Sequence, residues 1–282
     1  MRFDKLIGEK KFIVTVETTP YTTNGELSTL LNYIDGASVT ALRKDGKYAE
    51  KFGDTIPTYK SIERAAELKR QFKLEAMPTI TCRDFDPADS SIVEKLKEGK
   101  IENSLILYGD PNEAPYNNEN YYRVKGSADV VKCLRELAEG NFEDGFCINA
   151  AANPETGNIE KEIEGLKKKE EAGASNVFTQ PLFRPEKSLE LIDRARSSGI
   201  KVNFMAGLLF FKSAKSPEFM EKRLGINIPE EVKQRMLKKG DDEGVEIARE
   251  IGNALKEKVS GFHVYAHGVY DKAVDVIKEL KG

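Results

Sequence analysis

Short, almost wholly apolar runs alternate with longer amphipathic and charged stretches along the whole 282-residue chain. The apolar runs are Phe12 to Glu17, Ala37 to Leu42, Glu75 to Cys82, Ser104 to Leu107, Phe146 to Ala152, Asn176 to Phe183, Val202 to Phe211 and Gly261 to Tyr265. Runs this short and this continuously apolar suit strands buried on both faces, as in an all-parallel sheet. Between them lie helical patterns, among them Tyr59 to Phe72, Ser127 to Glu139, Ile159 to Ala172, Glu186 to Arg196 and Tyr270 to Leu280. Ser127 with Asp129 and Pro185-Glu186 act as start signals, Gly173 and Gly199 as stops.

The stretch Ser216 to Val259 exceeds one crossover and predicts two or three helices, with Pro217 and Pro229 opening two of them. No Pro- or Ser-rich linker divides the chain. Eight strand–helix cycles predict an α/β fold, a single (β/α)8 TIM barrel spanning residues 1–282, with extra helices between strands 7 and 8. An open doubly wound sheet is the alternative, but no GxGxxG or GxxxxGK[ST] follows the first strand.

In a barrel the site lies at the C-terminal ends of the strands. Those ends read Glu17, Thr40, Thr79 with Thr81, Gly109-Asp110, Ala151-Ala152-Asn153, Thr179-Gln180, Gly207, and His263 with Tyr265. Glu17 stands out, because a carboxylate closing an apolar strand must be paired or carry a proton, which is how a general acid becomes usable near neutrality. The set holds no nucleophile–base pair and no ligand cluster. Its neutral hydrogen-bonding groups suit a heteroaromatic cofactor and substrate.

Composition narrows the partners. The formal net charge of −3 gives no polyanion-binding field, so no nucleic acid is expected. Cys82, Cys133 and Cys147 form no CxxC pair and read as reduced core thiols, and with only His263 and His267 as histidines a zinc site is not expected. No apolar run approaches the roughly 20 residues of a membrane span, so a cytoplasmic protein with no membrane association is expected. A homo-oligomer is expected, with an electron-transfer partner subunit as a further possibility.

Val14 through Pro20, Ser38-Val39-Thr40, Pro78 through Cys82, Leu107-Tyr108-Gly109-Asp110, Ala151 through Glu155, Leu166 through Lys169, and Ala172 through Gln180 together resemble methylenetetrahydrofolate reductases, in order and over nearly the whole chain. The resemblance implies hydride transfer from a flavin, FAD, that turns a 5,10-methylene-tetrahydropterin into its 5-methyl form, with NAD(P)H or another reductant as electron donor. Glu17 would be the general acid that opens the imidazolidine ring to a 5-iminium cation. Asp110 would act catalytically beside both ligands, and Gln180 and Tyr265 would contact the pterin along with Glu17 and Asp110. Thr40, Thr79, Tyr108, Gly109, Asp110, Ser127, Ala151, Ala152, Asn153 and Lys169 would bind the cofactor, Lys169 through its phosphates.

The chain also departs from the family. Thr79 replaces a histidine, Tyr108 an arginine, Asn153 a tyrosine, and Gly157 aligns with another histidine. All four positions line the dinucleotide in the family, so the deazaflavin coenzyme F420 and a tetrahydromethanopterin substrate stand as alternatives to FAD and folate. Other readings are an accessory subunit that binds pterin or flavin without turnover, or an unrelated barrel aldolase or methyltransferase in which Glu17 only balances charge. Asp110 before Pro111 also reads as a turn, Gln180 as a barrel cap, His263 as a core histidine, Lys167 to Lys169 as a solvated face, and Pro111 to Tyr122 as a loop over the mouth.

Overall fold

A computed structural model describes residues 1–41, 57–82, 84–109, 124, 126–224 and 227–282. Asp110, Leu42 and the 111–122 segment singled out above lie outside the described residues. Eight parallel strands close into a barrel in sequence order: β1 (Ile13–Thr18), β2 (Gly36–Val39), β3 (Glu75–Thr81), β4 (Asn103–Leu107), β5 (Cys147–Ala152), β6 (Ala174–Pro181), β7 (Asn203–Leu209) and β8 (Gly261–Tyr265). Closure is made by β8 against β1, where Ile13 pairs with Gly261 and Thr15 with His263.

The helices are α1 (Phe3–Lys10), α2 (Asn24–Ser28), α3 (Pro57–Phe72), α4 (Ser91–Glu98), α5 (Ser127–Ala138), α6 (Ile159–Ala172), α7 (Pro185–Ser197), α8 (Ser216–Leu224), α9 (Glu230–Lys239), α10 (Glu243–Leu255) and α11 (Tyr270–Lys281). The extra helices expected between strands 7 and 8 are α8, α9 and α10, with Pro217 in the first turn of α8 and Pro229 capping α9. Among the described residues, no helix is long and apolar enough to cross a membrane.

Period-two alternation explains why strand sequences so rich in apolar residues still present polar groups to the lumen. Val14, Val16, Ala37, Ala76, Ile106, Ile148, Phe262 and Val264 belong to the large core shared with the outer helices. The alternate positions Ile13, Met77, Leu105, Cys147, Phe178 and Met205 fill the lower lumen together with Phe3, Leu6 and Ile7 of α1. The sequence pattern gave no sign of α1, yet its i, i+3, i+4 apolar face plugs the barrel floor. Gly36 makes room for it, since a Cβ there would lie 2.4 Å from the Phe3 ring.

Toward the N-terminal ends of β5, β6 and β7, an amide chain links the neighbouring strands. Asn203 donates to Asn176 (2.8 Å), Asn176 to Asn149 (2.7 Å), and Asn149 to the Ser104 carbonyl (2.8 Å), so these buried amides are satisfied within the barrel.

Candidate functional site at the barrel mouth

The layer beneath the mouth is neutral. His263 bonds Thr15 Oγ1 through Nδ1 (2.8 Å) and Ser38 Oγ through Nε2 (3.3 Å), and it meets the edges of Phe178 and Tyr265. Burial lowers its pKa to about 3, so it is an uncharged core histidine with both nitrogens occupied.

One layer higher on β1, opposite Ser38, stands Glu17. Its residue surface is only partly covered, but protein packs around the carboxyl group and raises its pKa from 4.5 to about 7. Burial is the dominant cause, and the Thr40 hydroxyl beside the carboxyl works against it. A carboxyl group poised there holds and gives up a proton near neutrality. The Tyr265 ring lies close enough for Glu17 to add to the burial that raises the phenol pKa, and the phenol donates to the Thr179 carbonyl (3.0 Å).

Thr179 belongs to an irregularity. The β6–β7 register slips between Phe178 and Pro181, leaving Thr179 and Gln180 outside the regular ladder. Thr179 Oγ1 accepts from Gly207 N (2.8 Å) and donates to Gln180 O (3.0 Å), and pairing resumes with Leu182 N on Gly207 O (3.1 Å). Bulges of this kind re-aim side chains at barrel rims, and here Gln180 is exposed at the mouth. Gly207 permits the arrangement, because a Cβ there would stand 2.7 Å from Gln180 O and 2.9 Å from the Tyr265 ring.

A cavity of about 480 Å³ opens beside this group. Gln180 and Thr40 border it on the side of the acid; Ala151, Ala152 and Asn153 from the end of β5 form a small-residue wall. Tyr108, Gly109 and Ser127 close the side toward β4 and α5, and Lys169 and Glu162 reach in from α6. The Lys169 ammonium donates to Ala151 O (2.7 Å), and burial lowers its pKa against the opposing influence of Glu162 and Cys82. The hydroxyls of Thr40 and Thr81 are buried in this lining; that of Thr40 faces the Glu17 carboxyl, and that of Thr81 meets no partner among the described residues. A buried hydroxyl without a partner is costly, and one lining a cavity points to a ligand that supplies it.

The structure thus gathers Thr40, Tyr108, Gly109, Ser127, Ala151, Ala152, Asn153, Lys169 and Gln180 around one cavity. Glu17 and Tyr265 stand beside it, joined to it through Thr40 and through the Thr179–Gln180 bulge. Thr79 is not part of the lining. Its hydroxyl accepts the Ala41 amide (2.5 Å) and ties β3 to the end of β2. Thr81, read from sequence only as a strand end, lines the cavity, and so do Ala41, Ile106, Leu107 and Glu162, which were not assigned from sequence. The signal for Glu162 was available, since it precedes Lys169 by seven residues, two helical turns, and therefore shares its face of α6.

A family model described as methylenetetrahydrofolate reductase matches residues 2–281. The chain belongs to the methylenetetrahydrofolate reductase family. It is thereby an oxidoreductase of that family. A relative from Escherichia coli, named 5,10-methylenetetrahydrofolate reductase, is 28% identical over 261 residues, covering 89% of this chain and 85% of its own. Methylenetetrahydrofolate reductase 2 of Schizosaccharomyces pombe is also 28% identical, over 72% of this chain, but the match spans only 35% of that longer protein.

Among solved structures, a Clostridium thermocellum protein described as binding two copies of 5-methyl-5,6,7,8-tetrahydrofolic acid superposes with a TM-score of 0.65 at 16% identity, covering 100% of this chain and 99% of that one. Tryptophan synthase from M. tuberculosis superposes with a TM-score of 0.55 at 10% identity, over 100% and 98% of the two chains. At such identities the likeness shows the barrel alone, which serves unrelated chemistries.

Proposed function

We propose that this chain, acting as a single reductase domain over residues 1–282, reduces a 5,10-methylene-tetrahydrofolate to the 5-methyl form. The observation that carries the reading is a buried carboxyl group, Glu17, at the end of β1, beside the Thr40 hydroxyl at the edge of a cavity whose buried Thr81 hydroxyl has no partner among the described residues. The family relatives and the tetrahydrofolate bound by the Clostridium barrel support folate as the pterin.

The cavity residues fit a flavin such as FAD. Thr81 offers a hydroxyl with no partner among the described residues, Ala151 and Ala152 leave a flat wall, and Lys169 supplies a cation for phosphate. When bound, the reduced flavin supplies hydride to the methylene carbon. Glu17 would give its proton to N10 of the folate as the methylene C–N10 bond breaks, so that the bond's electrons leave with N10 and the methylene carbon becomes the 5-iminium. Gln180, on its bulge, orients the pterin by its amide, and Tyr265 keeps water from the acid's inner side. Asp110, outside the described residues, is proposed to sit beside both ligands.

The test begins with the absorbance of the purified protein and titration with FAD and with F420, followed by turnover of methylene-tetrahydrofolate and methylene-tetrahydromethanopterin with NADH, NADPH or reduced F420. Bound yellow flavin with folate turnover supports the reading; F420 binding without flavin, or turnover of methanopterin alone, overturns its cofactor or substrate half. Thr81→Val, which removes at nearly constant volume a hydroxyl with no partner among the described residues, is expected to weaken FAD binding about 5- to 10-fold, from the roughly 1 kcal/mol of one net hydrogen bond. Unchanged FAD affinity would remove Thr81 from the cofactor site.

A further inference from the structure

Between the cofactor-side wall and the Gln180 bulge runs a hydrogen-bonded bridge that the reaction as described does not use. It starts inside the cavity, where Glu162 Oε1 accepts the Asn153 amide (3.1 Å). Asn153 Oδ1 in turn accepts the Glu155 amide (3.1 Å), an Asx turn that fixes the strand-end loop. Glu155 then reaches across to the loop after β6. Its Oε1 accepts the backbone amides of Phe183 (3.4 Å) and Arg184 (3.2 Å), and its Oε2 accepts Arg184 Nε (2.8 Å) and the neighbouring Arg184 Nη2.

The burial of the two partners is unequal: the Glu155 side chain is 8% exposed and that of Arg184 37%. A carboxylate so covered is costly to desolvate unless its oxygens are filled, and here four donors fill them. All four belong to the segment that follows Gln180.

That segment is short and framed by Pro181 and Pro185. At one end, Gly207 holds it through Thr179 and Leu182; at the other, Glu155 holds it just before α7 begins. Gln180 is exposed, and its side chain has no hydrogen bond among the described residues that would hold it, so its aim is set by its backbone. A bulge interrupts the ladder on its own side, which leaves the second anchor to complete the constraint.

We propose that Glu155 is a positioning residue for the pterin, acting through the 181–184 segment to fix Gln180 at the mouth. The inference rests on the reductase reading and assigns Glu155 a part in substrate binding rather than in proton or hydride transfer. Its chemistry is specific: the bridge needs an acceptor for two backbone amides and a guanidinium at once, which a carboxylate provides and an amide side chain provides only in part.

The test is a double-mutant cycle on the cofactor-loaded enzyme, with Glu155→Gln, Gln180→Ala and the pair. Glu155→Gln alone is expected to raise KM for methylene-tetrahydrofolate about tenfold, with kcat changed less than about threefold, FAD affinity kept within about twofold and the pH midpoint of turnover unmoved. In the Gln180→Ala background, the same substitution is expected to change KM by less than about twofold, since the group it positions is gone. Arg184→Gln, at a more exposed position, should show the same pattern at smaller size, and it carries the cycle if Glu155→Gln does not fold.

An unchanged KM in the single variant overturns the proposal. So does a full tenfold effect that persists without the Gln180 amide, because a merely structural role would be additive. Wild-type enzyme inactive on both pterins would sink the reductase reading and this inference with it, whereas an active wild type with an additive cycle sinks this inference alone.

Discussion

Glu17→Gln is expected to lower turnover of the methylene-pterin by about 10²- to 10⁴-fold, the range lost with a positioned general acid, while cofactor binding and reduction by NAD(P)H persist. Glutamine keeps the volume and the hydrogen-bonding edge but cannot deliver a proton. The wild-type rate should also fall as pH rises through about 7, where the carboxyl group loses its proton, and that limb should vanish in the variant.

The same substitution carries a stability signature of opposite sign. The folded-state pKa of Glu17, about 7, lies above the ordinary 4.5, so between those values the folded chain holds a proton that the unfolded chain has released. The raised value therefore weakens the fold as pH rises from about 4.5 to 7, and the loss is complete above 7. The full interval corresponds to about 3 kcal/mol, and partial solvent access at Glu17 reduces this to about 1–3 kcal/mol. Glu17→Gln should accordingly melt a few degrees higher than wild type at pH 8 and match it near pH 4. Turnover within about threefold of wild type, or a variant less stable at pH 8, would show that Glu17 is an ordinary ion-paired residue rather than a strained acid.

Gly261→Ala is expected to cost at least about 4 kcal/mol, enough to leave much of the chain insoluble. Gly261 has φ +156°, and an added Cβ would lie 1.9 Å from the Ile13 carbonyl oxygen and 2.9 Å from the Met205 side chain. The obstacle is backbone in a neighbouring strand, so no rotamer change relieves it. The position is critical because Gly261 pairs with Ile13 on one side and Met205 on the other, at the seam where the barrel closes. Gly165→Ala serves as the control: it sits in α6 with nothing within 4 Å of an added Cβ, and it should be neutral or stabilising by up to about 1 kcal/mol. A soluble Gly261→Ala protein with the wild-type melting temperature would mean that β8 and β1 do not meet as described.

Much of this architecture was legible in the chain because strand and helix periods are local properties. The eighth apolar run and β8 coincide at Gly261–Tyr265, and Pro217 and Pro229 marked real helix starts. Boundaries drifted where polar residues join a strand, as with β6, which begins at Ala174 rather than Asn176 and carries its irregularity through Gln180. Helix α1 escaped notice because its eight residues carry only three buried side chains, a pattern that gains meaning only once a barrel floor exists to receive them.

The site divides in the same way. Sequence alone determined that Glu17, Thr40, Ala151, Asn153 and Gln180 stand at strand ends, since in a barrel the end of a strand is a place in space as well as in the chain. Tertiary structure decided which of these groups are free to act. It turned the Thr79 hydroxyl to the Ala41 amide and that of Thr40 to the Glu17 carboxyl, left that of Thr81 without a partner among the described residues, and filled both nitrogens of His263. It also buried the Glu17 carboxyl group and tied Glu155 to a loop 28 residues further along. Solvation and hydrogen-bond occupancy depend on what packs across the barrel mouth from distant parts of the chain, and no local pattern encodes them.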